Sequence, residues 1–161
     1  MSVTEADIRE FLSLRSLAIA GVSRGGKKLG NAIYRSFKKQ GYKMFVLHQE
    51  AESLEGERCY ASLALLPEKV EGLILSIPPV QAERVLADAF AAGVRHVWLQ
   101  RGSESYSILR FCEKNDIKAI HGYCPLMFVE PVDSIHAFHR WLSRLFGSYP
   151  EKGVHTSAQS S

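Results

Sequence analysis

The chain has 161 residues, of which 46% are hydrophobic and 23% charged, with a formal net charge of +3. That length suits one domain with a sizeable core, and no apolar run approaches the ~20 residues of a membrane span. The basic excess is mild and suits an anionic small molecule as well as nucleic acid, so charge alone decides nothing. The residues below make the expected partner a phosphorylated small molecule, with no nucleic acid and no membrane.

The opening "MSVTEADIREF" is acidic and polar, which argues against a signal or transit peptide and makes a cytoplasmic location the expectation. Residues Glu5 to Leu14 predict a short amphipathic helix with Ile8, Phe11 and Leu12 on one face and Thr4 as N-cap. Leu17–Val22 is the first strand, an apolar run without alternation, as in a parallel sheet covered on both sides. Lys28–Gln40 places Leu29, Ile33 and Phe37 at fourfold spacing and stops at Gly41. Lys43–His48 is the second strand.

The connection "QEAESLEGERCYASLALLPEKV" carries one weak helical turn near Ser62–Leu66. Gly72–Ile77 is a third buried strand closed by Pro78-Pro79, and a helix over Gln81–Ala92 turns Val85, Leu86, Ala89 and Phe90 inward. Val94–Gln100 is the fourth strand, Ser103–Asn115 a helix with Ile108, Leu109 and Cys112 toward the core, and Lys118–Gly122 the fifth strand. A last amphipathic helix is expected over Asp133–Phe146, followed by a polar tail. Strands alternating with helices predict an α/β, Rossmann-like, doubly wound parallel sheet of about five strands, helices on both faces and an extra C-terminal helix. The expected organisation is a single domain over 1–147 and a disordered tail over 148–161.

In such a sheet the ligand crevice lies beyond the carboxyl ends of the strands. The residues there are Gly21-Val22-Ser23-Arg24, His48-Gln49-Glu50, Ile77-Pro78-Pro79, Gln100-Arg101-Gly102 and Gly122-Tyr123-Cys124-Pro125. The stretch "LAIAGVSRGGKKLG" leads a strand into a helix through glycines, a hydroxyl and three cations, the layout of a phosphate-binding turn. It departs from the dinucleotide pattern G-x-G-x-x-G, because Ser23 stands at the second glycine and the loop is longer and basic. Glu50 follows Gly30 by twenty positions, where an acidic residue would bind an NAD ribose, yet it falls past the strand end and reads as a solvated loop glutamate. The cationic loop suits a ligand with a phosphate beyond the pyrophosphate.

Cys59, Cys112 and Cys124 are far apart, without a C-x-x-C pair, which argues against a disulfide framework or structural zinc. Cys59 and Cys112 read as small core hydrophobes, whereas Cys124 lies at the ligand edge before a proline. His136 and His139, one helical turn apart, lack a third ligand and read as surface residues, and Trp98 and Trp141 read as packing residues.

The pieces "IAGVSRGGKKLGNAIYRSFKKQGYKMFVLH", "GERCYASLALLPEKVEGLILSIPP", "AGVRHVWLQRGS" and "HGYCPLMF" together resemble the small CoA-binding proteins with a Rossmann-like fold. That family is related to the CoA-binding domain of the succinyl-CoA synthetase alpha subunit. The resemblance extends through "EPVDSIHAFHRWLSRLFG", similar to a C-terminal helix of some members. It implies that Gly21, Ser23, Arg24, Lys28, Leu29 and Gly30, with Val22 in the same turn, hold the diphosphate and 3′-phosphate of coenzyme A or an acyl-CoA. Many members read asparagine-proline where this chain has His48-Gln49, so the adenosine contacts of His48 depart from the pattern. Ile77 and Pro78 are implied to wall the adenine, Gln100 and Gly102 to line the pantetheine path, and Cys124 to match a cysteine at the end of the family's fifth strand.

The leading expectation is therefore a CoA or acyl-CoA binding protein without evident catalytic machinery, with a regulatory, carrier or redox role. The redox role would run through a mixed disulfide at Cys124 and requires a lowered thiol pKa. The alternatives are an NAD(P)-binding oxidoreductase or redox sensor and the CoA-binding part of a multi-subunit acyl-CoA ligase. The amphipathic final helix suits either a second copy of the chain or this chain's own sheet, so a homodimer or an unidentified protein partner stays open.

Overall fold

The structure, a computed structural model, describes residues 2–129. The expected final helix, the polar tail, His136, His139 and Trp141 lie outside the described residues. Helix α1 (Glu5–Leu12) begins with a capping box: Thr4 Oγ1 accepts from the Asp7 N–H, and Asp7 Oδ2 accepts from the Thr4 N–H at 2.8 Å. Five parallel strands follow the expected alternation: β1 (Ser16–Ala20), β2 (Lys43–Leu47) and, beyond a hairpin, β5 (Gly72–Leu75), β6 (His96–Leu99) and β7 (Lys118–Ile120). Helices α2 (Leu29–Lys39), α3 (Pro79–Ala91) and α4 (Tyr106–Lys114) form the crossovers. A single turn, α5 (Leu126–Val129), comes after β7.

The hairpin corrects the sequence reading. The connection after β2 contains β3 (Ser53–Leu54) and β4 (Glu57–Tyr60) before a 3-10 turn at Leu63–Leu65. The sheet therefore has seven strands in the order β3-β4-β2-β1-β5-β6-β7, with β4 parallel to β2 and β3 antiparallel to β4. Only Leu54 and Cys59 of the hairpin strands are buried, so its sequence lacks the apolar run that marks the central strands.

Alternation along the strands divides the core in two. Ala18, Ala20, Leu73, Leu75, Val97 and Leu99 face α3 and α4, where Leu86, Ala89, Ile108 and Cys112 pack. Leu17, Ile19, Ile74 and Trp98 face the opposite way, toward Ile8 and Phe11 of α1 and Ile33, Tyr34 and Phe37 of α2. Trp98 is fully buried, meets the Phe11 ring edge-on at 5.3 Å, and donates from Nε1 to the Tyr123 carbonyl at 2.9 Å. No helix among the described residues is long and apolar enough to cross a membrane.

Candidate phosphate-ligand site

The chain leaves β1 to build β2 on one side and returns to build β5 on the other, so the order reverses between β1 and β5. That switch point puts the β1–α2 loop beside the β5–α3 loop at the carboxyl edge of the sheet. The parallel pairing of β2, β1, β5, β6 and β7 brings His48, the glycine loop, Ile77-Pro78, Gln100 and the segment before Cys124 to that one edge.

The two glycines that bracket the loop have packing reasons to be glycine. Gly21 has φ +124°, and a Cβ there would stand 2.3 Å from the Ser76 carbonyl oxygen. A Cβ on Gly30 would stand 2.1 Å from the Gly21 carbonyl oxygen, so Gly30 lets α2 start hard against the end of β1. Leu29 and Gly30, the first two helical residues, have N–H groups with no intrahelical acceptor, and they carry the positive end of the helix dipole. Lys28 is the N-cap residue and makes no side-chain cap. Arg24, Lys27 and Lys28 are exposed around this helix start, and Val22 is buried beneath it.

Ser23 is engaged within the chain. Its N–H and its hydroxyl both donate to Asn31 Oδ1, at 3.0 and 2.9 Å, and its carbonyl accepts from Asn31 Nδ2 at 3.0 Å. Asn31, fully buried, also donates from Nδ2 to Glu55 Oε1 at 2.7 Å, which uses all four bonding positions of its carboxamide. Arg35 bonds both oxygens of Glu55, at 2.6 and 2.9 Å, and the Gly26 carbonyl at 2.9 Å. Hydrogen bonds from Arg35 and then Asn31 hold the Glu55 carboxyl below its ordinary pKa. Neither Asn31 nor Glu55 was singled out from the sequence. The signals present were a polar stripe at Asn31, Arg35 and Lys38 on α2 and the Glu55-Gly56 dipeptide.

After β2, the His48 ring caps its own turn: Nδ1 accepts from the N–H groups of Glu50 at 3.1 Å and Ala51 at 2.9 Å, which assigns the ring proton to Nε2. Glu50 lies in solvent, as expected, and its Oε2 stands 3.8 Å from Arg24 Nη2 across the mouth of the crevice. Pro78 N-caps α3 and is exposed, while the Ile77 N–H donates to the buried Ser103 Oγ at 3.1 Å. Ser103 thus joins the β5 and β6 loops.

Gln100 is 6% exposed and its Oε1 is buried without a partner, while its side-chain amide reaches the Cys124 thiol. Gly102 has φ +91°, and its N–H donates to Glu104 Oε2 at 2.8 Å. Cys124 is half-buried, and burial pushes its thiol above the ordinary value against the opposing Leu126 N–H, Gln100 amide and Arg101 charge. The ligand-free thiol is therefore protonated at neutral pH, opposite to the lowered pKa that redox chemistry requires. Burial pushes Cys112 up to about 11 and also raises Cys59; both are core residues, as expected. No group of three or more metal-ligating side chains gathers among the described residues.

A family model described as a CoA binding domain matches residues 15–130. The alpha subunit of an ADP-forming acetate–CoA ligase from Pyrococcus furiosus is 28% identical over 88 residues, covering 54% of this chain and 19% of that subunit. The chain thus spans about a fifth of the length of that curated relative. A conserved hypothetical protein from Pyrococcus furiosus is 32% identical with a TM-score of 0.64, covering 68% of this chain and 95% of that one. A hypothetical protein from Pyrococcus horikoshii shares the fold at a TM-score of 0.73 and 21% identity, covering 87% of this chain and 93% of that one.

Proposed function

The chain belongs to the CoA-binding domain family, and from that premise we propose that it binds coenzyme A reversibly along the carboxyl edge of its sheet. The observation that carries the proposal is the exposed cationic rim of Arg24, Lys27 and Lys28 on a helix N-terminus at the switch point. In this reading the diphosphate and 3′-phosphate lie over Arg24, Lys28 and the free amides of Leu29 and Gly30. Gly21, Val22 and Ser23 shape the loop beneath them. Ile77 and Pro78 flank the adenine beside the His48 turn. The pantetheine arm passes Gly102 and Gln100, whose unpartnered Oε1 accepts an amide N–H of the arm, and its thiol ends toward Cys124.

Because the Cys124 thiol is held protonated, we read the protein as a carrier or regulatory binding module before a thiol-redox one. An acyl-CoA fits the same phosphate contacts. The similarity to an acetate–CoA ligase subunit supports a second reading, in which the module serves a larger acyl-CoA ligase and catalysis resides in another subunit.

Native mass spectrometry of protein purified without added cofactor tests the ligand directly and is expected to show one CoA per chain. Added CoA should raise the melting temperature, and Arg24→Glu or Lys28→Glu should remove that rise. Saturable binding of NADPH or NADH that CoA does not compete with would overturn the reading in favour of a nicotinamide cofactor. Diamide oxidation of the CoA-loaded protein probes the thiol: an adduct of CoA mass that is lost in Cys124→Ser establishes proximity, and its absence removes the redox version.

A further inference from the structure

We infer that Glu55, at the tip of the β3–β4 hairpin, is the positioning residue that fixes the shape of the β1–α2 loop, so that affinity for the phosphates is set from outside the crevice. The link to affinity rests on the CoA reading above, whereas the clamp itself does not.

Three observations lead here. The first is conformational. The pairs Ser53↔Arg58 and Leu54↔Glu57 close the hairpin on two residues, Glu55 and Gly56, with φ +52° and +76°. Two-residue turns with both φ positive favour asparagine or aspartate followed by glycine, and glutamate is ill suited to the first place. An unfavourable backbone residue that persists points to a use for its side chain.

The second is the use of that side chain. The Glu55 carboxylate accepts three hydrogen bonds, from Asn31 Nδ2 and from Arg35 Nε and Nη2. Through Asn31 it reaches the N–H, hydroxyl and carbonyl of Ser23, and through Arg35 the carbonyl of Gly26. The loop backbone passes directly over this cluster, since a Cβ on Gly26 would meet Arg35 Nη2 at 3.1 Å. Asparagine would suit the turn better but is one methylene too short to make the same reach.

The third is the register of α2. Asn31, Arg35 and Lys38 lie at i, i+4 and i+7 on one stripe, and all three bond the hairpin, Lys38 through Glu57. The hairpin is thus laid along α2 with Glu55 at the end nearest the loop. A loop held before the ligand arrives gives up less conformational entropy on binding.

The test compares the full chain with Glu55→Asn and Glu55→Gln by melting temperature, backbone amide exchange and CoA calorimetry. Glu55→Asn improves the turn and removes the clamp. It should keep the parental melting temperature within a few degrees, speed exchange across residues 22–30 with β6 and β7 unchanged, and weaken CoA by about tenfold. Glu55→Gln keeps an oxygen for Asn31 but loses the charge opposite Arg35, and should fall between the two. Parental loop exchange and CoA affinity in both variants overturn the inference. If Glu55→Asn does not fold, the same measurements on Glu55→Gln decide. If the parent fails to bind CoA, the ligand reading falls, and amide exchange alone still decides whether Glu55 holds the loop.

Discussion

Replacing Gly30 with alanine tests the packing on which the crevice is built. The added Cβ would stand 2.1 Å from the Gly21 carbonyl oxygen, 2.5 Å from its carbon and 3.2 Å from the Val22 nitrogen. Every one of these is a backbone atom, so no side chain can swing aside. Even the tightest contact that real side chains tolerate, near 3.0 Å, requires the start of α2 to retreat from β1 by about 0.9 Å. Overpacking of this kind costs about 1–3 kcal/mol, and a rigid backbone neighbour favours the upper part of that range. The better helix propensity of alanine offsets ~1 kcal/mol. The net loss of about 2 kcal/mol lowers the melting temperature by about 4–8 °C for a domain of this size. Gly25→Ala is the control, because a Cβ there meets nothing within 4 Å and its φ is not in the left-handed region. It should leave the melting temperature unchanged or raise it slightly, with a change below about 1 kcal/mol. Scanning calorimetry of the three proteins reads both effects. Equal melting of Gly30→Ala and Gly25→Ala would refute the close approach of α2 to β1.

Two further outcomes follow from charges, one at this edge and one that includes Glu10 and Glu71 at the amino ends of the strands. Glu50→Gln should tighten CoA binding by up to about fivefold at low salt and by nothing at high salt, because the exposed Arg24–Glu50 pair is worth about 0–1 kcal/mol and competes with the ligand. Weaker binding would mean instead that Glu50 touches the ligand, as a ribose-binding acid does. Three carboxyls are held below their ordinary pKa: Glu10 by Lys118 and then His96, Glu55 by Arg35 and then Asn31, and Glu71 by the N–H groups of Arg15 and Ser16. A depressed carboxyl contributes stability that is complete above its unfolded value, about 4.3, and is lost as pH falls through the folded value. Urea unfolding should therefore show a flat stability between about pH 5 and 7 and a decline below it. Undiminished stability at pH 3 would contradict these three assignments.

The alternation of helices and strands was legible because each central strand is a continuous apolar run and each crossover helix shows one buried stripe. The carboxyl edge was legible for the same reason, since parallel strands deliver their following residues to one place. The β3–β4 hairpin was not, because two buried residues in six make no period and its contacts run to β2 and α2, which lie apart from it in sequence. Ser23 illustrates a different limit. A hydroxyl in a glycine loop reads as a phosphate ligand, yet its proton goes to Asn31, eight residues on in the first turn of α2. At Gly30 an added Cβ would meet the chain's own Gly21 carbonyl, a packing reason for glycine that the sequence pattern does not separate from the approach of an anion.

The loop therefore combines two kinds of residue with different energetic signatures. Gly21, Gly30, Asn31 and Glu55 make the frame, through backbone contact and buried hydrogen bonds that exist without any ligand. Arg24, Lys27 and Lys28 stand out from that frame into water. A change in the frame disturbs packing or leaves buried polar groups unpaired, so it alters stability and ligand affinity together. A change in the exposed cations removes attraction for phosphate while the surrounding packing is untouched, so affinity moves and stability does not. Glu55 is the informative exception. Its side chain belongs to the frame, but its backbone works against the turn it occupies, and substitution by asparagine separates the two contributions.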